Sequence, residues 1–332
     1  MEGGADIPII DVGCFFDGGA DESTKRSVAT QIYDALHNVG FMYIRNAKIP
    51  SPQEVEEAFA LSRQFFAREV KDKELLAWTP DNIGYVAVQR ERLDPTKKGD
   101  LKEAFNVNNR RQMDPWWAKH RAELAAAKAE RTVEDIVGDE FLTTTAKFFN
   151  ACHELACVIL RIFTYSLNLP EDFFDKRLHE QAHTLRFLHY PPLDAASVET
   201  ASEQTRAGEH SDYGAITLLF QDDVGGLEVR RSDDQWIETP CIPNTILVNT
   251  GDLMQYWTND IFRSTRHRVG IPSDKARLGR DRYSIAFFSH PNDDVDVSPL
   301  PSCVSADNPA HYPTDTPVSA GAYLQMKLGA TY

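Results

Sequence analysis

Apolar residues recur at Val28, Ile32, Leu36 and Val39, the spacing of one helical face, behind a Ser/Asp/Thr-rich start and ahead of Gly40, which supplies the stop. Phe41-Met42-Tyr43-Ile44 then reads as a strand. Ser51-Pro52-Gln53-Glu54 forms a capping box with proline at the first helical position, and Val55, Phe59, Ser62 and Phe66 mark the buried stripe of the next helix. Trp117 to Arg131 is rich in Ala, Lys, Glu and Arg, and predicts a solvent-facing helical insertion. Thr132-Val133-Glu134-Asp135 predicts the cap of a long helix running to about Leu167, with Phe148, Cys152, Leu155, Ile159 and Ile162 as the face that backs a sheet.

From Leu185 the pattern changes to short strands separated by turns. They are expected over Leu185–Tyr190, Ala215–Phe220, Gly226–Arg230, Thr245–Asn249, Ile261–Val269 and Arg282–Phe288, with Asp222 to Gly226 as a turn between two of them. Many short strands in one region imply a sandwich or jelly roll. Ser319 to Leu328 predicts a closing helix, and 291–317 is a long irregular stretch that reads either as a lid or as packed surface. No internal repeat stands out.

The chain has 332 residues, 42% of them hydrophobic and 26% charged, enough to bury a large core. A formal net charge of −15 argues against nucleic acid as a partner, because phosphate binding needs a basic surface. The most apolar stretch, Leu155 to Phe163, is short and broken by Arg161, so a membrane span is not expected. The first six residues lack the basic and apolar regions of a signal peptide. Cys14, Cys152, Cys157, Cys241 and Cys303 form no zinc-site spacing and read as reduced thiols of a cytoplasmic protein, with Cys152 and Cys157 as core filler.

Within Arg206-Ala207-Gly208-Glu209-His210-Ser211-Asp212-Tyr213-Gly214, His210 and Asp212 stand two positions apart. In extended chain such side chains share a face and can grip one metal. A second imidazole from a later strand, His267, completes the set. Two His and one carboxylate fill three corners of an octahedron and leave three open, which suits non-haem Fe(II) that must bind a cosubstrate and oxygen together. His-x-Asp alone is a common surface tripeptide, so the weight rests on its downstream context. There stand Asn249-Thr250-Gly251-Asp252, Thr258-Asn259-Asp260, Arg263-Ser264, His267-Arg268-Val269 and Arg282-Tyr283-Ser284.

This string resembles the Fe(II)/2-oxoglutarate dioxygenases of the isopenicillin N synthase-like superfamily. The resemblance extends upstream through Ile7-Pro8-Ile9-Ile10-Asp11, Gly84-Tyr85, Asp100-Leu101-Lys102-Glu103 and Tyr190-Pro191-Pro192, so it spans nearly the whole chain. Arg206 to His210 and the ending Gly329-Ala330-Thr331-Tyr332 are most similar to the fungal branch that includes thymine dioxygenase. Leu188 departs from the pattern of many plant members, which place an asparagine there. The resemblance implies a mainly β fold with flanking helices, a double-stranded β-helix (jelly roll) core braced by N-terminal and central helices. It further implies one dioxygenase domain over 1–332: a mostly helical part with the first strands to 180, the catalytic core over 181–290, and a C-terminal loop and helix over 291–332.

The resemblance also implies the chemistry. His210, Asp212 and His267 would hold Fe(II), and 2-oxoglutarate and O2 would take the open corners. Arg282 and Ser284 alternate on one strand and would offer a guanidinium fork plus a hydroxyl to the far carboxylate of 2-oxoglutarate, with Tyr190 as a third donor. Arg186 shares parity with Tyr190, and Phe288 shares it with Arg282 and Ser284, so both are expected to point into the barrel. With Tyr213 and Asn82 they are the candidate substrate contacts, although Arg186 could equally be bonded to a local Asp or Glu and Phe288 could be core. The expected reaction is oxidation of a C–H bond in a small organic metabolite, a pyrimidine or a specialised fungal metabolite, with hydroxylation as the default and desaturation or ring formation open to the same ligands. Two alternatives stand beside it. An oxidase like isopenicillin N synthase or aminocyclopropane carboxylate oxidase would release no succinate, and a non-catalytic binding protein would have no use for a complete ligand set.

Overall fold

The computed structural model describes residues 7–94, 96–193, 204–272 and 274–331. Fourteen strands among them build two facing sheets and a small hairpin. The larger sheet contains β1 (Ile9–Asp11), β2 (Phe41–Arg45), β3 (Gly84–Val86), β4 (Glu103–Val107), β5 (Thr184–Tyr190), β7 (Ile216–Gln221), β10 (Thr245–Thr250) and β12 (Arg282–Ser289), in the order β1-β2-β10-β7-β12-β5-β4-β3. The smaller sheet contains β6 (Ala207–His210), β8 (Leu227–Arg230), β9 (Trp236–Glu238) and β11 (His267–Val269), in the order β6-β11-β8-β9. A two-stranded ribbon joins β13 (Asp296–Val297) to β14 (Val318–Ser319). The non-sequential order, with antiparallel pairing everywhere except β1 with β2, is that of a jelly roll.

Strand parity divides the apolar residues into two cores. Phe187, Ile285, Phe287, Leu218, Val248 and Ile44 face outward and are covered by the helix Phe141–Leu167, whose predicted face of Phe148, Cys152, Leu155, Ile159 and Ile162 is wholly buried. The helices Glu22–Asn38 and Pro52–Phe66 pack on that same helix. Both begin as predicted. Asp21 accepts from Thr24 N, and Ser51 with Glu54 forms the capping box ahead of Pro52. The opposite parity, with Phe41, Tyr43, Leu188, Tyr190, Leu247 and Ala286, meets Ala207, Leu227, Val229 and Val269 of the smaller sheet. This inner core is thin on the side of β4, β5 and β12, and a cavity of about 120 Å³ opens there.

Three expectations need correction. The Trp117–Arg131 insertion is a helix over Arg110–Ala126, capped by Asn109, and it is not solvent-facing throughout, because Met113, Trp116, Trp117 and Leu124 are buried. Trp117 stacks on Phe105 of β4 at 6.2 Å between ring centroids, an anchor hidden by the charged residues around it. Thr132 does cap a helix, but Gly138 at φ +92° ends it after Val137, and the long helix starts anew at Phe141. The strand expected over Ile261–Val269 shrinks to His267–Val269. Asn259 and Asp260 are left-handed, and the amides of Arg263 and Ser264 bond to Leu36 O and Gln255 Oε1, so this backbone has no strand partner to find.

Between 291 and 317 the chain is packed surface. Val297, Leu300 and Cys303 are buried, Leu300 N donates to Trp257 O, and Asn259 donates to Pro309 O. None of these residues lines the cavity. The segment that does cover it is the C-terminal helix Ala320–Thr331, which contributes Leu324, Leu328 and Thr331. Among the described residues, no helix is long and apolar enough to cross a membrane.

Candidate active site

His210 ends β6 and His267 begins β11, where the two are direct register partners, so their rings lie 4.3 Å apart between centroids. Asp212 follows His210 after the strand has ended. Its Oδ1 stands 3.6 Å from His267 Nε2 and 3.9 Å from His210 Nε2, and the three ligand atoms all lie within 4.8 Å of one another. Each imidazole is oriented from behind. His210 Nδ1 meets Gly208 O at 2.8 Å and His267 Nδ1 meets Thr265 O at 3.0 Å. A carbonyl can only accept, so both Nδ1 atoms carry a proton, which leaves Nε2 as the atom of each ring that faces a metal.

Asp212 is oriented by the same logic. Its Oδ2 accepts from Thr217 Oγ1 at 2.6 Å and from Asn249 Nδ2 at 2.7 Å, which turns Oδ1 toward the imidazoles. Burial works against the ionised carboxyl, but His267, His210 and these two donors together hold it below its ordinary range. Burial, reinforced by the neighbouring His267, pushes the His210 imidazole down to about 3, so it stands neutral as a metal ligand must. Two imidazoles and one carboxylate with converging ligand atoms fit a divalent metal that keeps open positions.

A second cluster sits across the cavity. Arg282 and Ser284 are each 1% exposed, and Arg282 Nη1 donates to Ser284 Oγ at 3.4 Å while Nη2 donates to Gln221 Oε1 at 3.2 Å. Tyr190 is the register partner of Arg282, and its ring lies 4.6 Å from the guanidinium carbon. No carboxylate of the described residues pairs with this arginine, and its Nε lacks a partner among them. A buried cation so placed fits an incoming carboxylate.

All four tentative contacts line the cavity. Arg186 does point inward as its parity predicted, and it also has the local acid partner weighed against a substrate role. It pairs with Glu91 through both Nη atoms, with Nη1 at 3.0 Å from Oε1. Tyr213 shares a hydrogen bond with Thr331 of the C-terminal helix at 2.8 Å. Asn82, left-handed at φ +59°, donates to Thr184, and Phe288 is partly buried at the far end of β12.

Several residues had been assigned no role from the sequence. Thr217 and Asn249 could have been found from parity, since both lie on strands that border the site. Glu91 and Asn106 carried no signal in the sequence, and Lys102 only that of the Asp100-Leu101-Lys102-Glu103 motif; all three are buried cavity wall. Arg206, inside the signature around His210, is 0% exposed. Its Nη2 donates to Pro191 O and Arg280 O, in the segments that flank Tyr190 and Arg282.

Residues 181–291 match the model of the 2OG-Fe(II) oxygenase superfamily, and residues 7–126 match that of the non-haem dioxygenase in morphine synthesis N-terminal region. The chain belongs to the 2OG-Fe(II) oxygenase superfamily, and it is an enzyme that uses iron(II), 2-oxoglutarate and oxygen. It is 32% identical over 323 residues to the 2-oxoglutarate-Fe(II) type oxidoreductase ppzD of Metarhizium rileyi, covering 94% of this chain and 88% of that protein. To the proline hydroxylase buaE of Petromyces alliaceus it is also 32% identical, covering 93% of this chain and 94% of the relative. Among solved structures it is similar to a full-length Neurospora crassa thymine dioxygenase in complex with alpha-KG and thymine, at a TM-score of 0.84 and 32% identity over 98% of this chain and 97% of that one. These matches favour the 2-oxoglutarate-using reading over the oxidase alternative.

Proposed function

We propose that His210, Asp212 and His267 hold the iron, that Arg282 and Ser284 with Tyr190 bind the far carboxylate of 2-oxoglutarate, and that the cavity beside them takes a small organic substrate. The observation that carries this reading is the convergence of three ligand atoms, each aimed by a hydrogen bond from behind, onto the wall of a cavity whose other end bears a buried arginine that no carboxylate of the described residues pairs with. Bound iron(II) supplies the oxidising power by coupling reduction of oxygen to conversion of 2-oxoglutarate into succinate and carbon dioxide. Arg282 and Ser284 fix the cosubstrate by its distal end. Arg186, Asn82, Tyr213 and Phe288 hold the substrate so that one C–H bond faces the metal, and the roof of Leu324 and Leu328 excludes water.

The substrate is a small metabolite and the default outcome is hydroxylation. A pyrimidine is the first class to test, because the Neurospora crassa enzyme was solved with thymine in the same architecture, and specialised fungal metabolites are the second. The negative charge of the chain supports free small molecules over nucleic acid. Succinate formation by the iron-loaded protein, with and without each candidate, is the test. Iron-dependent succinate release that a candidate accelerates, with a matching oxidised product, is the expected result. Product formation without succinate would return the oxidase reading.

A further inference from the structure

Beside Arg186 the inner sheet face carries a polar group whose hydrogen bonding is incomplete. Asn106 of β4 stands opposite Arg186 of β5 in register, so both side chains leave the same face, and both line the cavity. The orientation of Asn106 follows from its neighbours. Trp78 Nε1 can only donate, and it donates to Asn82 Oδ1 at 3.1 Å, which fixes the oxygen end of that amide. Asn82 Nδ2 then donates to Thr184 Oγ1 at 3.2 Å, and Thr184 Oγ1 donates to Asn108 Oδ1 at 3.2 Å. Asn82 Oδ1 takes its second bond from Asn106 Nδ2 at 2.8 Å. That leaves Asn106 Oδ1 as a buried acceptor with no partner among the described residues, on a side chain that is 1% exposed. A ligand N–H or O–H would satisfy it.

Among the described residues, the charges next to it pair with one another. Arg186 is bound by Glu91 through both Nη atoms. Lys102 Nζ lies 3.2 Å from Glu91 Oε2 and also bonds Asp100, whose other oxygen accepts from Gly208 N at 3.0 Å. Among the described residues, two cations thus meet two carboxylates at this end of the cavity, all four buried. An incoming carboxylate would have to displace Glu91 from Arg186, and an incoming ammonium would have to displace Lys102 or Arg186 from Glu91.

We propose that Asn106 is a specificity-determining residue, and that this end of the cavity selects an uncharged substrate presenting an N–H or O–H to Asn106 Oδ1, as a lactam or cyclic imide does. The inference deepens the assignment of this cavity to the primary substrate and rests on it. The test uses the protein loaded with iron(II) and 2-oxoglutarate and a matched set of small rings: 2-piperidone, glutarimide and uracil, their fully N-methylated counterparts (1,3-dimethyluracil for uracil), and the carboxylates pyroglutamate and orotate. Acceleration of succinate release and the shift in melting temperature under anaerobic conditions are measured for each. Neutral N–H members should bind and accelerate release, with N-methyl and carboxylate members weaker by on the order of tenfold or more.

Asn106→Leu, close in volume but without an acceptor, should bring the N–H to N-methyl ratio near unity, a change that a purely structural role would not produce. Preference for the carboxylates, equal response to N–H and N-methyl members in the wild-type protein, or binding by no neutral N–H member overturns the inference. So does a preference that survives in Asn106→Leu. The wild-type comparison decides the matter even if that variant does not fold. Slow succinate release by the wild-type protein without any ring compound separates the two levels. Its presence alongside an unselective panel sinks only this inference, whereas no iron-dependent release under any condition sinks the underlying reading as well.

Discussion

Asn249→Leu should weaken iron(II) binding while leaving the fold largely intact. Asn249 and Thr217 face each other across β10 and β7, and both donate to the same oxygen of Asp212. A hydrogen bond to a charged acceptor contributes about 1.5 to 3 kcal/mol, so losing one predicts a dissociation constant about ten- to a hundredfold higher. Leucine has the same number of side-chain heavy atoms, and Asp212 Oδ2 keeps its bond from Thr217, so the cost to the stability of the metal-free protein should stay within about 1 to 3 kcal/mol. Thr217→Val removes the second donor with almost no change of shape. Because either donor alone can hold the carboxylate, the double variant should lose more than the sum of the two single losses. Anaerobic calorimetric titration with iron(II), with manganese(II) as a redox-inert check, reads the affinity, and melting of the metal-free protein reads the fold. An affinity unchanged to within about twofold, with a lower melting temperature, would refute the reasoning and make Asn249 a packing residue only.

Replacing His210, Asp212 or His267 with Ala should abolish iron-dependent succinate release, since in the proposed site each supplies one of three protein bonds to the metal, and normal turnover in any of them would remove the iron assignment. Arg282→Ala should raise the apparent KM for 2-oxoglutarate about ten- to a hundredfold. Arg206→Met should raise it less and leave iron affinity unchanged, because Arg206 acts through the strand ends that carry Tyr190 and Arg282; equal loss of both affinities would show general unfolding instead. Arg186→Leu should cost about 3 to 5 kcal/mol in denaturant unfolding, because it strips a buried Glu91 of its main partner. Burial alone would raise the Glu91 carboxyl, but Arg186 and Lys102 hold it down at about 2, below its ordinary 4.5. A depressed folded-state value means stability that is present above the ordinary value and lost as pH falls from there toward about 2. Glu91→Gln should flatten that acid limb, and an unchanged limb would show that other carboxyls set it.

The elements with strong local signals were legible. The capping box at Ser51, the helical face from Phe148 to Ile162 and the alternation in β5 and β12 each follow from residues near one another in sequence, and each stands where it was expected. The same parity placed Arg186, Phe288, Arg282 and Ser284 on the inner face. The His-x-Asp pair with its distant histidine gave the metal chemistry, because ligand type and spacing are properties of the chain itself.

Tertiary structure decided what those side chains face. Asp100, Lys102 and Glu103 belong to a motif that the resemblance picked out, but neither that motif nor Glu91 shows in sequence where these charges go, and all four are buried. Lys102 turns inward to Glu91 and Asp100, whereas Glu103, one residue on, turns outward to Lys73, Tyr85 and His189. Burying a charge costs too much without a partner, and these partners come from strands and turns far apart in the chain, so no local pattern could announce them. The same holds for Asn106, whose open acceptor is defined only by the chain of donors running from Trp78 through Asn82. Sequence determined the ligand chemistry and the alternation of the strands. The fold, by fixing which distant polar groups meet and which acceptor is left open among the described residues, determined the character of the cavity beside the metal-ligand set.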